Sequence, residues 1–199
     1  MIKKLIALVA FCTVITAAGK AEANCDGLYL AGRAGIINHN FGDGKDTFGS
    51  RWAIDDNAWS LTGAIGYRWR AYWRAEAQYS WREKQSKNEN FYGLITTTEF
   101  QTYSYMLNLY YDFSPYTMFT PYVMAGAGIT QIQLRQTGGG MLPRDYDRDV
   151  FTWSLGAGLS IKMTNRWNID FGYTFYHMDK FGEATVRAHE GYVGTRYVF

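Results

Sequence analysis

Gly194-Thr195-Arg196-Tyr197-Val198-Phe199 closes the chain. Side chains alternate across an extended strand, so Thr195, Tyr197 and Phe199 share one side while Gly194 and Arg196 share the other. A half-buried strand in water gains nothing by ending on an uncovered phenylalanine. It gains if its outer side lies against hydrocarbon.

Working back from this end, the same alternation recurs in seven further segments. In Trp73 to Arg82, Trp73, Ala75, Ala77, Tyr79 and Trp81 alternate with Arg74, Glu76, Gln78, Ser80 and Arg82. The others run from Leu28 to Ile37, Ala58 to Arg68, Thr102 to Asp112, Tyr122 to Leu134, Phe151 to Lys162 and Trp167 to Tyr176. Arg187 to Phe199 is the eighth. Each divides into an apolar, ring-rich face and a face of small residues and charges. In the fifth, Ile132 and Leu134 are read on the apolar face, against Gln131, Gln133 and Arg135. The connections alternate between long and short. Residues 38–57, 83–101 and 136–149 make long polar loops and 177–186 a medium one; 69–72 and 163–166 are short, and 113–121 is intermediate. That asymmetry is expected of a barrel with one end outside the cell and the other in the periplasm, with both termini at the periplasmic end.

The leader agrees. Met1-Ile2-Lys3-Lys4 is basic, Leu5 to Ala18 is apolar, and Ala21-Glu22-Ala23 has the small-x-small form of a cleavage site. Residues 1–23 therefore read as a signal peptide, and 24–199 as one outer-membrane domain. Of the two cysteines, only Cys25 follows the leader, so no intramolecular disulfide is expected. A formal charge of +2 gives no indication of a nucleic-acid partner.

A soluble barrel would turn its apolar faces inward. Two features favour the opposite. Rings gather near strand ends, at Trp59 and Tyr67, Trp73 and Trp81, Phe151 and Trp153, and Trp167 and Phe175, as in aromatic girdles at membrane interfaces. Turning the other faces outward would place several arginines in lipid at roughly 2–4 kcal/mol each, which exceeds a typical net stability of about 5–15 kcal/mol. The expected fold is an all-β, eight-stranded antiparallel up-and-down transmembrane barrel. Its lumen is narrow enough for side chains to fill. Arg33, Arg68, Arg74, Glu76, Asp112, Lys162, Asp170 and Arg196 face inward and are expected to form a paired charge network that plugs it, since unpaired buried charge is costly.

The chain resembles the OmpX, opacity-protein and OmpA-transmembrane group of small eight-stranded outer-membrane barrels. The resemblance rests on Gly27-Leu28-Tyr29-Leu30-Ala31-Gly32, on Asn108-Leu109-Tyr110-Tyr111-Asp112-Phe113 with Pro121-Tyr122-Val123, and on Gly191 to Phe199. It covers nearly the whole chain after the leader. It implies that Tyr197 and Phe199 form a terminal signal read by the barrel-assembly machinery, and that outer-membrane lipid and lipopolysaccharide surround the wall. Members of the group include adhesins, invasion factors, structural barrels and narrow pores, so host or matrix ligands are candidate partners through the loops.

Three functional readings follow. The first is a scaffold with a plugged lumen that presents its loops for adhesion or envelope integrity, without catalysis or cofactor. The second is a narrow, porin-like pore for small solutes. The third is a lipid-modifying enzyme using Ser154 with His177 and His189; sequence brings none of these within reach of another. His39 stands in the first loop. Loop aspartates at 43, 46, 55, 56, 145, 147 and 149 lack calcium-loop spacing. Gly138-Gly139-Gly140 reads as a loop tip, and Phe91, Tyr92, Leu94 and Ile95 as an extension of a hairpin.

Overall fold

The computed structural model describes residues 27–41, 57–91, 94–138, 141–181 and 184–199. Its strands are β1 (Gly27–Phe41), β2 (Asn57–Trp69), β3 (Trp73–Arg82), β4 (Gln85–Phe91), β5 (Leu94–Asp112), β6 (Phe119–Gly138), β7 (Met141–Lys162), β8 (Trp167–Phe181) and β9 (Ala184–Val198). β3 and β4 form a single barrel strand, because only Glu83 and Lys84 separate them and both pair with β5. Eight antiparallel strands thus close on themselves, with β9 hydrogen-bonded back to β1. Closure leaves no open edge within the wall, as hydrocarbon requires.

The register fixes the cylinder. From Leu30, paired residues run through Ile65, Ala77, Leu107, Ala127, Trp153, His177 and Arg187, and return to β1 at Asn40. The line comes back ten residues along its starting strand. With ordinary strand spacing, that stagger tilts the strands by ~40° and gives a backbone radius of ~8 Å. Such a lumen is narrow enough for side chains to fill.

Burial follows the alternation expected from sequence. In β3, Arg74, Glu76, Gln78, Ser80 and Arg82 are buried, while Trp73, Ala75, Ala77 and Tyr79 are exposed on the wall. Leu107, near mid-wall, is 71% exposed. Rings collect in two belts. Tyr111, at the periplasmic end, touches Tyr72, Trp73 and Phe113, and Tyr197 touches Trp167 and Phe199. At the outer end, Tyr79 packs on Tyr103 and Tyr105, and Trp153 on Phe175 and His177. Chain reversal at the periplasmic end is tight. Arg70 and Ala71 both take positive φ, 51° and 58°, the geometry that matches the twist of the strands it joins.

Four expectations change. Lys162, expected in the lumen, is the last residue of β7 and is exposed at the rim; the strand ends before it can reach the interior. Ile132 is buried inside and Gln133 is exposed outside, reversing the expected facing of the second half of that strand. This part of β6 stands above the outer belt, where its outer side meets water. His39 stands in β1 rather than in a loop. The long polar segments at 83–101 and 136–149 are largely hairpins: β4 pairs β5 up to Phe91↔Leu94, and β6 pairs β7 up to Gly138↔Met141. Phe91, Leu94 and Ile95 belong to the first of these. Residues 1–26, with the leader and Cys25, lie outside the described residues, as do Asp43, Asp46, Asp55, Asp56, Tyr92, Gly139 and Gly140.

Candidate functional site

The inward faces build a lumen in three storeys. The lowest is a lattice of guanidinium, carboxylate and phenol groups. Glu76 on β3 is its centre: Arg33 Nη2 donates to both of its oxygens at 2.6 and 2.7 Å, Tyr29 Oη donates at 2.9 Å, and Arg74 Nη1 stands 3.6 Å away. Arg74 also grips Asp112 on β5 through Nε and Nη2 at 2.8 to 3.1 Å. Across the lumen, Arg196 Nη2 donates to Ser160 Oγ at 2.8 Å and reaches Asp170 at 3.3 Å. Rings separate the charges. The Arg74 guanidinium lies 4.4 Å from the centre of Tyr110 and 5.1 Å from that of Tyr122; Arg196 lies 5.4 Å from that of Tyr29. Charge-assisted, two-pronged contacts of this kind are the strongest hydrogen bonds available to side chains.

Glycine makes room for these rings. A Cβ at Gly66 would lie 2.3 Å from the Tyr29 ring, and one at Gly172 2.4 Å from Tyr192. The small residues of the inner face are therefore the sockets in which the lattice tyrosines sit.

The middle storey is neutral. Asn108 donates to Gln78 at 2.7 Å, Gln78 to Ser80 at 2.9 Å, and Thr62 and Ser80 share a bond of 2.8 Å. Thr152, Thr130 and Ser104 form a hydroxyl chain that ends on Arg82 Nη1. Glu190 accepts a short bond from Ser60. A cavity of about 10 Å³ remains beside Arg33, Gln78, Tyr176 and Glu190, space for the centre of one water.

The top storey is apolar. Ile37, Ala58, Ile132, Val150, Met178, Val186 and Ala188 form one buried cluster across the outer mouth, resting on Met106 and Tyr176. Sequence reasoning missed this cap because it read the inner face as small residues and charges along its whole length. A signal existed: Ile36-Ile37 and Val150-Phe151 are apolar on both faces at the level of the outer belt. It set Arg82 on the inner face but left both Arg82 and Glu190 out of the charge network; they lie in the lumen with 1% and 3% exposure.

Of the sequence-named charges, the structure brings Arg33, Arg74, Glu76 and Asp112 into one connected group, and Arg196 and Asp170 into a second. Arg68 lies at the periplasmic mouth, half-buried, and Lys162 is outside. Ser154 is buried in the lumen. His177 stacks on Trp153 at 5.0 Å on the outer wall, and His189 Nδ1 meets Tyr173 Oη at 2.5 Å on the same wall. The backbone sheet separates that serine from both imidazoles, so the three form no nucleophile–base arrangement. Among the described residues, no group of three or more His, Cys, Asp or Glu side chains could hold a metal ion.

Beyond the barrel, four strands continue outward. β3 pairs β2 only as far as Ser60↔Arg82, and β7 pairs β8 only from Thr152↔Met178 downward. Above those points β4, β5, β6 and β7 stand as a separate antiparallel sheet rising ~20 Å past the outer belt. Among the described residues, its two outermost strands, β4 and the Met141–Phe151 part of β7, carry no further strand.

Comparison with known proteins places this architecture. The family described as outer membrane protein beta-barrel domain matches residues 5–199. Outer membrane protein PagN of Salmonella typhimurium is 31% identical over 85 residues, 39% of this chain and 34% of PagN. An uncharacterized protein of Rickettsia prowazekii, RP788, is 32% identical over 74 residues, 33% of this chain and 41% of that protein. The chain thus spans about a third to two fifths of the curated relatives it matches. Among solved structures, Neisserial surface protein A superimposes with a TM-score of 0.61 at 21% identity, covering 87% of this chain and 97% of that one. Ail of Yersinia pestis, in complex with the heparin analogue sucrose octasulfate, gives 0.56 at 15% identity, covering 87% and 99%. These likenesses concern the fold.

Proposed function

This chain belongs to the outer membrane protein beta-barrel family, and from that premise we propose that it is a non-conducting surface scaffold whose protruding sheet serves attachment or envelope integrity. The single observation carrying the reading is the division of labour along the axis. Buried side chains occupy the lumen in all three storeys, which supports a plug, while β4 to β7 extend well beyond what is needed to cross lipid. A strand edge in water presents unpaired peptide groups to any extended partner, and loops on a rigid scaffold are common binding elements.

The test is attachment of Gram-negative cells that express the chain to host cells or matrix. Replacing residues 86–99 and 134–148 with short turns should abolish attachment. The barrel should stay in the outer membrane and keep its heat-modifiable migration on gels. Unchanged attachment by the trimmed barrel overturns the reading. The rival pore predicts steady single-channel currents in planar bilayers. The plugged lumen predicts none at porin scale. The rival lipid-modifying enzyme predicts an altered lipid A mass on expression; the placement of Ser154 apart from His177 and His189 argues against that chemistry. The barrel-assembly machinery would read Tyr197 and Phe199, so removing Phe199 should lower the amount of assembled barrel.

A further inference from the structure

Counted over the described side chains, leaving aside the terminal carboxylate of Phe199 beside Gly27, the lowest storey is not electrically balanced. Four guanidiniums, on Arg33, Arg68, Arg74 and Arg196, meet three carboxylates, on Glu76, Asp112 and Asp170. Each carboxylate is engaged by Arg33, Arg74 or Arg196. The surplus falls on Arg68. It is the direct cross-strand neighbour of Arg74, a like-charge pairing that destabilises a sheet unless something lies between the charges. Arg196 and Arg74 repel it, and Asp112 offsets part of that repulsion. Among the described residues, Arg68 makes no ion pair. Several N–H groups here are buried without a hydrogen-bond partner: Arg68 Nε, Arg74 Nη1, and Arg196 Nε and Nη1. Arg33 Nε and Arg82 Nε and Nη2 are also without a partner higher in the lumen, but only here do such donors accompany a cross-strand pair of arginines, and unpartnered buried donors are uncommon in a folded protein. That combination is the arrangement that receives an anion.

Position fits the same reading. Arg74 and Arg196 are fully inside, whereas Arg68 is half-buried at the periplasmic end. The reversal at Arg70 and Ala71 tucks Ala71 in to 2% exposure beside it. Of the three arginines, Arg68 is the one in contact with the periplasmic side. The Arg82–Glu190 level above is balanced, one charge of each sign, so the surplus is confined to this end.

We propose that the periplasmic mouth of the lumen is a binding site for one small inorganic anion, held among Arg68, Arg74 and Arg196. The bound anion completes the charge lattice and relieves the Arg68–Arg74 opposition. This site is independent of the attachment role and would exist in a barrel that binds nothing outside.

Bromide and inorganic phosphate serve as probes on the folded barrel in nonionic detergent, with gluconate holding ionic strength constant. The thermal midpoint should rise in a saturating manner. At ten times the dissociation constant, the rise should be about 3 °C. Whichever probe saturates at lower concentration tells a halide site from an oxyanion site. Arg68→Gln should abolish the rise, and Arg68→Lys should retain part of it. Crystals soaked in the tighter-binding probe should show density for it at the mouth, with an anomalous peak where that probe is bromide, a readout on the unaltered chain that does not depend on whether a variant folds. A midpoint indifferent to both probes, an equal rise in Arg68→Gln, or crystals soaked in the tighter-binding probe with no density for it among the three arginines overturns the proposal.

Discussion

The two ends of the lumen solve one problem by opposite chemistry. The periplasmic end is filled by Arg33, Arg74, Glu76 and Asp112, locked to one another through hydrogen bonds at 2.6 to 3.1 Å. The outer end is filled by Ile37, Ile132, Val150, Met178 and Val186, which ask only for volume. The lattice is directional and every member depends on another. The cap is non-directional and any shape of similar size would serve. Identical strands can host both because the side chains, not the backbone, decide what fills an ~8 Å cylinder.

The largest expected effect breaks the lattice at its centre. Glu76→Ala removes the carboxylate that Arg33, Arg74 and Tyr29 share and leaves buried cations without it. A loss of about 3–5 kcal/mol is expected from such a deletion. Equilibrium urea unfolding in lipid vesicles measures it. The cap should respond more mildly: about 2–3 kcal/mol for Met178→Ala, and under about 1.5 kcal/mol for the volume-conserving Met178→Leu. The comparison sharpens with a double change. Arg33→Met with Glu76→Leu should cost less than Glu76→Ala alone, because removing both charges leaves none stranded. If the single and double variants lose equal stability, the lattice is not acting as a coupled unit.

The wall inverts this logic. Leu107 on β5 is 71% exposed, and its alternation neighbours Met106 and Asn108 are buried. Leu107→Arg should cost roughly 2–4 kcal/mol in a bilayer, the penalty for a cation near the midplane. An arginine on the inner face of the neighbouring strand β3 is a stabilising member of the lattice. The same side chain is thus tolerated or rejected according to the parity of its position, and unfolding in vesicles of two thicknesses tests that directly.

Parity is also what made the fold legible. The eight strands and their facings could be read from alternation because lipid and lumen select opposite chemistries at successive residues. Arg33, Arg74, Glu76, Asp112, Asp170 and Arg196 were found by that rule alone. It failed where one of the two environments changes. Above the outer belt the outer side meets water, so Ile132 faces in and Gln133 out. At the cap both sides are apolar, and Ile37 and Val150 gave no contrast with their neighbours. At Lys162 the strand ends, and parity has no lumen left to point into. The protruding hairpins read as loops because their sequence carries no amphipathic period.

Glycine sockets give a smaller test of the lattice. Gly66→Ala puts a Cβ 2.3 Å from the Tyr29 ring, so the ring must move away from Glu76. The expected loss is about 1–3 kcal/mol. In a Tyr29→Val background, the same substitution should cost markedly less, since the obstructed ring is gone. An undiminished cost there would place the strain in the backbone rather than in the ring.

The smallest expected effect sharpens the comparison most, because it holds distance constant. Lys84 Nζ and Glu99 Oε2 stand 2.6 Å apart, the same separation as Arg33 Nη2 and Glu76 Oε2. The first pair sits above the belt with a lysine side chain 48% exposed; the second is 5% and 0% exposed. Water screens the first pair and solvates either member when its partner is removed, so Lys84→Ala should cost under about 0.5 kcal/mol and less still in high salt. The second pair has no such substitute. The predicted gap between Lys84→Ala and Glu76→Ala is therefore close to tenfold at equal geometry. A Lys84→Ala loss approaching that of Glu76→Ala would mean that the protruding sheet is as dry as the lumen.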